Sequence, residues 1–432
     1  TADDLVLLLV AIEVASLSSM MLLVTSAAIR FRTELLLKLT LKNVVATALM
    51  TLGAAILIGL SGETNLQRIH DWMMSAGSQS AKPMTAVITR IVPIASGLVF
   101  LGLAARLAVP PFRAWVVDVE QAGSRWSLLT TLLIVRATAL VACVRIMVTT
   151  LETQAATMEV IAIVLAITAL IVSIAMACRE ENLDRLMGCS AVATGGWLLA
   201  AMAVWLRMAA NSQTPIAQMG DFLTGSETLW LAFAAGGIAW IGGQCGLAAL
   251  RLSGARLIDR EDLRGIGRRF PVLSAAIVIC LISSAGVPPW LGFWEKLAVA
   301  CGTLIGVVSP SSQAPPVSHG GLVLLTVVLV GHCLLQLRIS LAVVTTMFLE
   351  RTFTQHSRPG RSFAGFVSVT VAFALTVEGL DPTTVISLAD PPPPAAAHAQ
   401  AGIEVTHGLT RSVTAVSRRQ SQIGYVPSPP GT

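Results

Sequence analysis

The chain has 432 residues, of which 54% are hydrophobic and only 12% are charged. A soluble globular domain carries roughly 25% charged residues, so this composition excludes a protein that faces water over most of its surface. The formal net charge of +5 comes mostly from loop arginines and does not indicate a nucleic-acid partner. Apolar runs of about 20 residues, each long enough to cross ~30 Å of hydrocarbon, recur along the chain. The sequence therefore predicts an all-α polytopic membrane protein.

About ten transmembrane helices are predicted in chain order. They cover residues 5–28, 36–61, 86–109, 127–149, 157–178, 188–209, 229–251, 271–307, 320–349 and 363–381. The eighth run is too long for one straight helix and is interrupted by Pro288-Pro289. Residues 389–432 form a polar tail rich in proline and alanine, which predicts an extended or disordered segment.

The arginines concentrate in alternate loops. One set of loops carries Arg30, Arg32, Arg113, Arg125, Arg179, Arg185, Arg251, Arg256, Arg260, Arg264, Arg268, Arg269, Arg351, Arg358 and Arg361. The opposite loops carry little beyond Arg68 and Lys82. Because positive loops stay on the cytoplasmic or matrix side, we expect both termini on the outer side.

Two proline pairs lie inside predicted spans. Leu107–Phe112 in the third span resembles Ala285–Trp290 in the eighth. A proline pair breaks a helix, and the freed carbonyls are tolerated in a membrane only where they line a polar cavity. Two such breaks, five spans apart, predict a pair of inverted repeats. Two unrelated proline kinks are the alternative.

Ionisable residues inside spans are costly in a membrane and mark candidate functional positions. The candidates are Glu13, Lys38, Lys42, Arg106, Arg136, Arg145, Lys296, His332 and Arg338. Such a row of buried acids and bases suits a proton path. For some of them a structural role is the alternative: Lys38 forms an (i, i+4) pair with Glu34, His332 is a hydrogen-bonded core residue, and Lys42, Arg145 and Arg338 extend from helix ends to the interface.

Several segments resemble the antiporter-like proton-channel subunits of respiratory NADH:quinone oxidoreductase, complex I. They are Val10–Leu17, Glu34–Lys38, Gly102–Asp118, Asn182–Ser190, Gly265–Pro271 and Ser284–Lys296, and their order and spacing hold from about residue 5 to 388. Gly102–Asp118 is similar to the broken seventh helix of the family and the loop that follows it. Lys296 fits subunit 2 (subunit N) or subunit 5 and disfavours subunit 4. A proline-rich tail in place of a long lateral helix favours subunit 2.

The resemblance implies four divisions of the chain. Residues 1–150 correspond to a first inverted repeat that lacks its first helix (family helices five to eight). Residues 151–350 correspond to the second repeat (helices nine to thirteen), with its broken helix at 271–307. Residues 351–388 hold the final transmembrane helix, and 389–432 the tail. We expect a separate polypeptide to supply the first four helices of the family.

The resemblance also implies roles for the buried charges. Glu13 is the electrostatic switch, Arg106 its partner, Arg136 the intermediate cation and Lys296 the exchangeable site; Lys38, His332 and Glu295 are secondary. The family has lysines at Arg106 and Arg136, and a histidine at Thr194. Since arginine does not lose its proton in proteins, either water carries protons past fixed cations, or the subunit is a structural link. A subunit of a multisubunit cation/proton antiporter is a further alternative.

The resemblance sets expectations for cofactors, partners and location. The chain should bind no redox cofactor and no metal, whereas the whole complex would use NADH, FMN, iron–sulfur clusters and ubiquinone. Its partners would be other membrane-arm subunits and membrane lipids, including cardiolipin, with no nucleic acid. The absent initiator methionine suggests a processed protein of the mitochondrial inner membrane with both termini in the intermembrane space. A bacterial plasma membrane is the alternative.

Overall fold

The computed structural model describes residues 3–27, 29–78, 82–122, 125–209, 226–255, 257–308, 316–350 and 363–380. Its α-helices in these ranges are α1 (Leu5–Ser26), α2 (Ile29–Ser61), α3 (Leu66–Ser78), α4 (Lys82–Arg106), α5 (Ala114–Ala122), α6 (Arg125–Thr149), α7 (Ala155–Ala177), α8 (Leu183–Ala209), α9 (Ser226–Leu252), α10 (Ile266–Arg269), α11 (Pro271–Ala285), α12 (Leu291–Val308), α13 (Pro316–Phe348) and α14 (Phe363–Leu380). No β-strand forms within the described residues, and the all-α prediction is confirmed.

The predicted membrane spans correspond closely to these helices. Nine segments of the described residues are long and apolar enough to cross a membrane, and they match every predicted span except 86–109. That span corresponds to α4, a helix of 25 residues. The chain is therefore a polytopic membrane protein, as predicted. The described residues belong to one compact unit, Thr1–Leu388, and the predicted tail 389–432 lies outside them.

Both proline pairs interrupt a helix. α11 ends at Ala285, Gly286 adopts the left-handed conformation with φ of 81°, and α12 begins at Leu291, as the sequence predicts. In the third span, α4 ends at Arg106 and the chain is irregular up to Arg113. Each break therefore places the end of one helix and the beginning of another inside the bundle.

The structure corrects the expectation of a loop after the first break. Ala114–Ala122 forms α5, whose Trp115, Val116 and Val119 are buried. The segment contains neither glycine nor proline, so nothing in it opposes a helix once Pro111 is passed. This helix packs against α8 and α2, and its Asp118 and Glu120 contact Lys38 of α2 and Gln244 of α9.

The end of the bundle where α1 begins contains a helix that the sequence analysis did not predict. α3 is amphipathic and buries Leu66, Ile69 and Met73 on one side. The start of α1 is tied to the same segment, because Asp4 caps α1 and accepts a hydrogen bond of 2.6 Å from the Thr64 hydroxyl. That hydrogen bond lowers the pKa of Asp4 below its ordinary value.

Helices α2 and α4 approach each other closely at Gly53 of α2 and at Gly102 of α4. A Cβ atom added at Gly102 would lie 2.7 Å from the carbonyl oxygen of Ala46, closer than real contacts allow. The packing of α2 on α4 holds Arg106 in place, because Arg106 is the last residue of α4. Gly102 is thus required by the close approach of two backbones.

Replacing Gly102 with valine is expected to destabilise the protein by about 1–3 kcal/mol, because the added atoms force the two helices apart. The measurement is the thermal unfolding midpoint in detergent. Gly59→Val is the matched control, since a Cβ at Gly59 of α2 meets nothing within 4 Å. Equal midpoints for the two variants would contradict the packing argument.

Candidate functional site

The first cluster of buried charges joins α1, α2 and α4. Arg106 donates from Nη2 to Oε2 of Glu13 at 2.5 Å and from Nη1 to the hydroxyl of Ser16. The Thr47 hydroxyl donates to the same Glu13 oxygen at 2.7 Å and accepts from Arg106 at 3.1 Å. Arg106 is 1% exposed, whereas the Glu13 side chain is 26% exposed. The structure therefore brings together the predicted pair of Glu13 and Arg106.

The break in the third span explains where this cation lies. Arg106 is the C-terminal residue of α4, where the helix ends inside the bundle before Pro110-Pro111. A cation is favoured at a helix C-terminus, because the last carbonyl groups carry partial negative charge. The serine and threonine hydroxyls satisfy further donors of the guanidinium group, as a buried charge requires.

Two lysines of α2 lie one helical turn apart and differ in environment. Lys38 pairs with Glu34 at 2.6 Å and with Asp118 of α5 at 2.7 Å, and its side chain is 38% exposed. The intrahelical pair is thus present, together with a second carboxylate that the sequence did not indicate. Lys42 is only 8% exposed, with its ammonium group 4.3 Å from the centre of the Trp115 ring. The interpretation that Lys42 extends to the interface is therefore wrong, since its side chain is buried against α5.

Arg136 of α6 faces α8. Its Nη1 donates to the Thr194 hydroxyl at 2.8 Å, and its Nη2 donates to the carbonyl oxygen of Ala191. The side chain is 7% exposed. Thr194 itself donates to the Ala191 carbonyl at 2.8 Å, so the guanidinium, the hydroxyl and the carbonyl form a closed group. These contacts fix the position of the Arg136 charge.

Lys296 lies on α12, beyond the second helix break. It is 7% exposed and lies 4.1 Å from the centre of the Trp197 ring. Its Nζ is 3.7 Å from Oε1 of the adjacent Glu295, so these neighbours interact although successive helix residues point in different directions. His332 of α13 accepts from Nε1 of Trp197 at 3.4 Å and lies 3.4 Å from the Ser173 hydroxyl. His332 is thus a hydrogen-bonded core residue at the Lys296 site.

Two small cavities lie between the region of Arg136 and that of Lys296. One cavity, of about 30 Å³, is lined by Arg136 and Gly195; the other, of similar size, is lined by Lys296, His332 and Ser284. Thr194 and Trp240 line both cavities. Each cavity is large enough for about two water molecules. The lining of the first is mostly apolar apart from Arg136 and Thr194, and that of the second includes more polar groups. Among the described residues no hydrogen bond or ion pair links Arg106 to Arg136 or Arg136 to Lys296, so a path between them would require water.

The remaining intramembrane candidates lie at the periphery. Arg145 forms an ion pair with Asp3, and its side chain is 36% exposed. Arg338 of α13 is exposed on the surface of the bundle. Both positions fit the alternative that these arginines extend from helix ends.

Three buried charged residues were not identified from the sequence. Glu159 and Arg207 form an ion pair of 3.5 Å in which both side chains are 1% exposed. Glu120 of α5 is fully buried and accepts a hydrogen bond of 2.7 Å from Gln244 of α9. The first pair had a signal, because both of its residues lie inside predicted spans. Glu120 had none, since its segment was expected to be a loop.

This arrangement of two broken helices and buried charges in an all-helical membrane bundle is typical of ion-translocating membrane proteins. Residues 2–308 match the model of the NADH:quinone oxidoreductase/Mrp antiporter transmembrane family. Because the match covers most of the chain, the chain belongs to this family.

Individual relatives narrow the comparison. The chain is 27% identical over 398 residues to NADH-quinone oxidoreductase subunit N 1 of Sorangium cellulosum, covering 90% of this chain and 72% of that protein. It is 26% identical over 317 residues to subunit N of Anoxybacillus flavithermus, covering 71% and 58%. The chain thus spans between about half and three quarters of the length of such relatives.

Solved structures show the same fold. A chain of respiratory complex I from Thermus thermophilus superimposes with a TM-score of 0.61 at 23% identity, covering 89% of this chain and 75% of that one. A chain of the Mrp complex from Dietzia superimposes with a TM-score of 0.71 at 18% identity, covering 90% and 73%. At these identities the likeness establishes the fold alone.

Proposed function

We propose that this chain is a membrane-arm subunit of respiratory NADH:quinone oxidoreductase, similar to subunit N, and that it contributes to proton translocation. The observation that carries the proposal is the buried ion pair of Glu13 and Arg106 at the end of a broken helix. Such a pair is costly to bury, and ionisable residues inside a membrane span mark a candidate functional position. The subunit N names of the relatives support the choice of complex.

In the proposed route, Glu13 is the switch and Lys296 is the proton-exchanging end. Arg106 and Arg136 supply fixed positive charge. Protons pass them in water, and the two cavities that share Thr194 and Trp240 provide space for that water between Arg136 and Lys296. The Glu295 carboxylate lies 3.7 Å from the Lys296 ammonium group and is its nearest described counter-charge. His332 and Lys38 stay secondary members of the route.

A structural link without pumping is the second candidate. It is favoured by the fixed contacts of Arg136 with Thr194 and Ala191, because arginine keeps its proton and these bonds hold it in one place. Under this alternative the row of charges transmits electrostatic or conformational change to neighbouring subunits. A subunit of a cation/proton antiporter is the third candidate, favoured by the family itself, whose description includes Mrp antiporters.

The proposal includes a setting for the chain. It lies in the mitochondrial inner membrane with both termini in the intermembrane space, or in a bacterial plasma membrane. Its partners are other membrane-arm subunits and membrane lipids. NADH, FMN, iron–sulfur clusters and ubiquinone belong to other subunits, and this chain acts as a non-redox part of the enzyme.

A native gel of membranes solubilised in mild detergent tests membership. An antibody to the C-terminal tail locates the chain, and staining for NADH oxidation locates the enzyme. Comigration in a very large NADH-oxidising band supports the proposal, and sequencing of its small hydrophobic subunits identifies any four-helix partner. A band that holds only antiporter subunits would support the third candidate instead.

Replacing Lys296 with alanine is expected to lower the ratio of protons translocated to electrons transferred, because the variant removes the exchangeable group. The ratio is measured in sealed membrane vesicles that contain the assembled complex. Arg68→Ala is the control, since Arg68 lies on the outer surface with its side chain 69% exposed. An unchanged ratio in assembled Lys296→Ala complex would favour the structural link.

A further inference from the structure

The chain contains few lysines. Of its 29 lysines and arginines, only four are lysines: Lys38, Lys42, Lys82 and Lys296. Lys38 is partly exposed, and the side chain of Lys82 is outside the described residues. Lys42 and Lys296 are both buried, at 8% and 7% exposure. One buried lysine thus lies in each half of the bundle.

The two buried lysines share an unusual environment. Each ammonium group lies over the face of a tryptophan ring, at 4.3 Å from Trp115 for Lys42 and 4.1 Å from Trp197 for Lys296. An aromatic face stabilises a cation without a counter-charge and without a fixed hydrogen bond. A lysine held in this way keeps its three protons available to water. Both buried lysines thus lie on an aromatic face, and Lys296 has the Glu295 carboxylate at 3.7 Å in addition.

The charges that face Lys42 are those of the switch. They are Arg106 of α4 and Glu13 of α1, which are paired with each other. Among the described residues no carboxylate pairs with Lys42 directly. While the Glu13–Arg106 pair is closed, the negative charge of Glu13 partly offsets the stronger effect of the Arg106 charge on Lys42. When the pair opens toward Lys42, the positive charge of Arg106 disfavours the ammonium form.

We propose that Lys42 is the proton-exchanging residue of the first half of the chain, controlled by the ion pair of Glu13 and Arg106. The inference rests on the proposed function and adds to it a group that can lose a proton, which Arg106 cannot. In the step, the N–H bond of the Lys42 ammonium breaks, a water molecule takes the proton, and the electron pair stays on Nζ. Recharging reverses the step, and no oxidant or reductant takes part.

Partly exposed carboxylates surround Lys38, the neighbour of Lys42 on α2. Lys38, one helical turn from Lys42, contacts Asp118 of α5, and Lys42 contacts Trp115 of the same helix. Helices α2 and α5 therefore meet at two successive levels, that of Lys38 and that of Lys42. The level of Lys38 lies nearer the surface and contains the partly exposed carboxylates of Glu34 and Asp118. Carboxylates at a surface collect protons and deliver them to a nearby base through water. The buried level then holds the lysine that receives them.

Lys42→Arg in the assembled complex tests the inference, because arginine keeps the charge and the contact with Trp115 but not the exchange. We expect it to lower the proton-to-electron ratio in sealed vesicles by as much as Lys296→Arg. The double variant should lower the ratio no further, since the two lysines act in series on one path. Arg68→Lys, which conserves an exposed charge, is the control.

The outcomes separate this inference from the proposed function. If Lys296→Arg lowers the ratio and Lys42→Arg does not, Lys42 exchanges no proton and only the inference fails. If neither variant changes the ratio in assembled complex, the proposed function fails. Should Lys42→Arg prevent assembly, Lys42→Gln provides the second test. Loss of assembly in both variants would show a purely structural lysine and overturn the inference.

Discussion

Replacing Glu13 with glutamine is expected to destabilise the bundle by roughly 3 kcal/mol and to abolish the contribution of this chain to proton transfer. The reason is that Arg106, which is 1% exposed, would keep its charge without a counter-charge. Removing one partner of a buried pair typically costs about 3–5 kcal/mol. We expect the lower end of this range because the Glu13 side chain retains 26% exposure. Ser16 and Thr47 also remain as hydrogen-bond acceptors.

The measurement combines the thermal unfolding midpoint of the detergent-solubilised chain with the proton-to-electron ratio of the assembled complex. Glu63→Gln is the matched control, because Glu63 pairs with Arg68 on the outer surface, where both side chains are well exposed. Exposed pairs contribute about 0–1 kcal/mol, so this variant should behave like the native protein. Adding Arg106→Met to Glu13→Gln should restore the midpoint in part, while the ratio stays low. A Glu13→Gln midpoint equal to that of Glu63→Gln would contradict the argument.

The transmembrane helices could be predicted from sequence because hydrocarbon imposes a length and an apolar composition on each span. The two breaks were also predictable, since a proline pair removes helical hydrogen bonds wherever it occurs. α3 and α5 were not predicted, because both are short and their helical stability comes from packing on neighbours. For α5, the decisive contacts are the burial of Trp115 and Val119, which depends on residues far away in the chain.

In the candidate site, too, the features that depend on residue type could be predicted, whereas those that depend on packing between distant residues could not. The family resemblance pairs Glu13 with Arg106, and the two side chains are in contact at 2.5 Å. The environment of Lys42 could not be predicted, since Trp115 lies on the helix that was expected to be a loop. The pair of Glu159 and Arg207 was visible as two charges within spans, but both lie near span ends, where a charge also reaches the interface.

Removing one charge of the deeply buried ion pair of Glu159 and Arg207 should be costly for the stability of the bundle. It joins α7 to α8 at 3.5 Å with both side chains 1% exposed. Arg207 also donates to the Ser318 hydroxyl of α13 at 3.2 Å and to the carbonyl oxygen of Gly306 of α12 at 3.3 Å. Four helices therefore meet at one guanidinium group. Glu159→Gln is expected to lower the free energy of unfolding by about 3–5 kcal/mol, because the buried charge of Arg207 would be left without its partner.

A double variant distinguishes a structural pair from a proton-carrying one. Replacing both residues with apolar side chains of similar volume, as Glu159→Leu with Arg207→Met, removes the two charges together. Such replacements of buried ion pairs are often neutral or stabilising, so the unfolding midpoint should recover most of the loss seen in Glu159→Gln. We expect the proton-to-electron ratio of the assembled double variant to match that of the native complex, since neither residue lies beside Lys42, Arg136 or Lys296. A normal midpoint with a lowered ratio would instead assign the pair to proton release on the outer side.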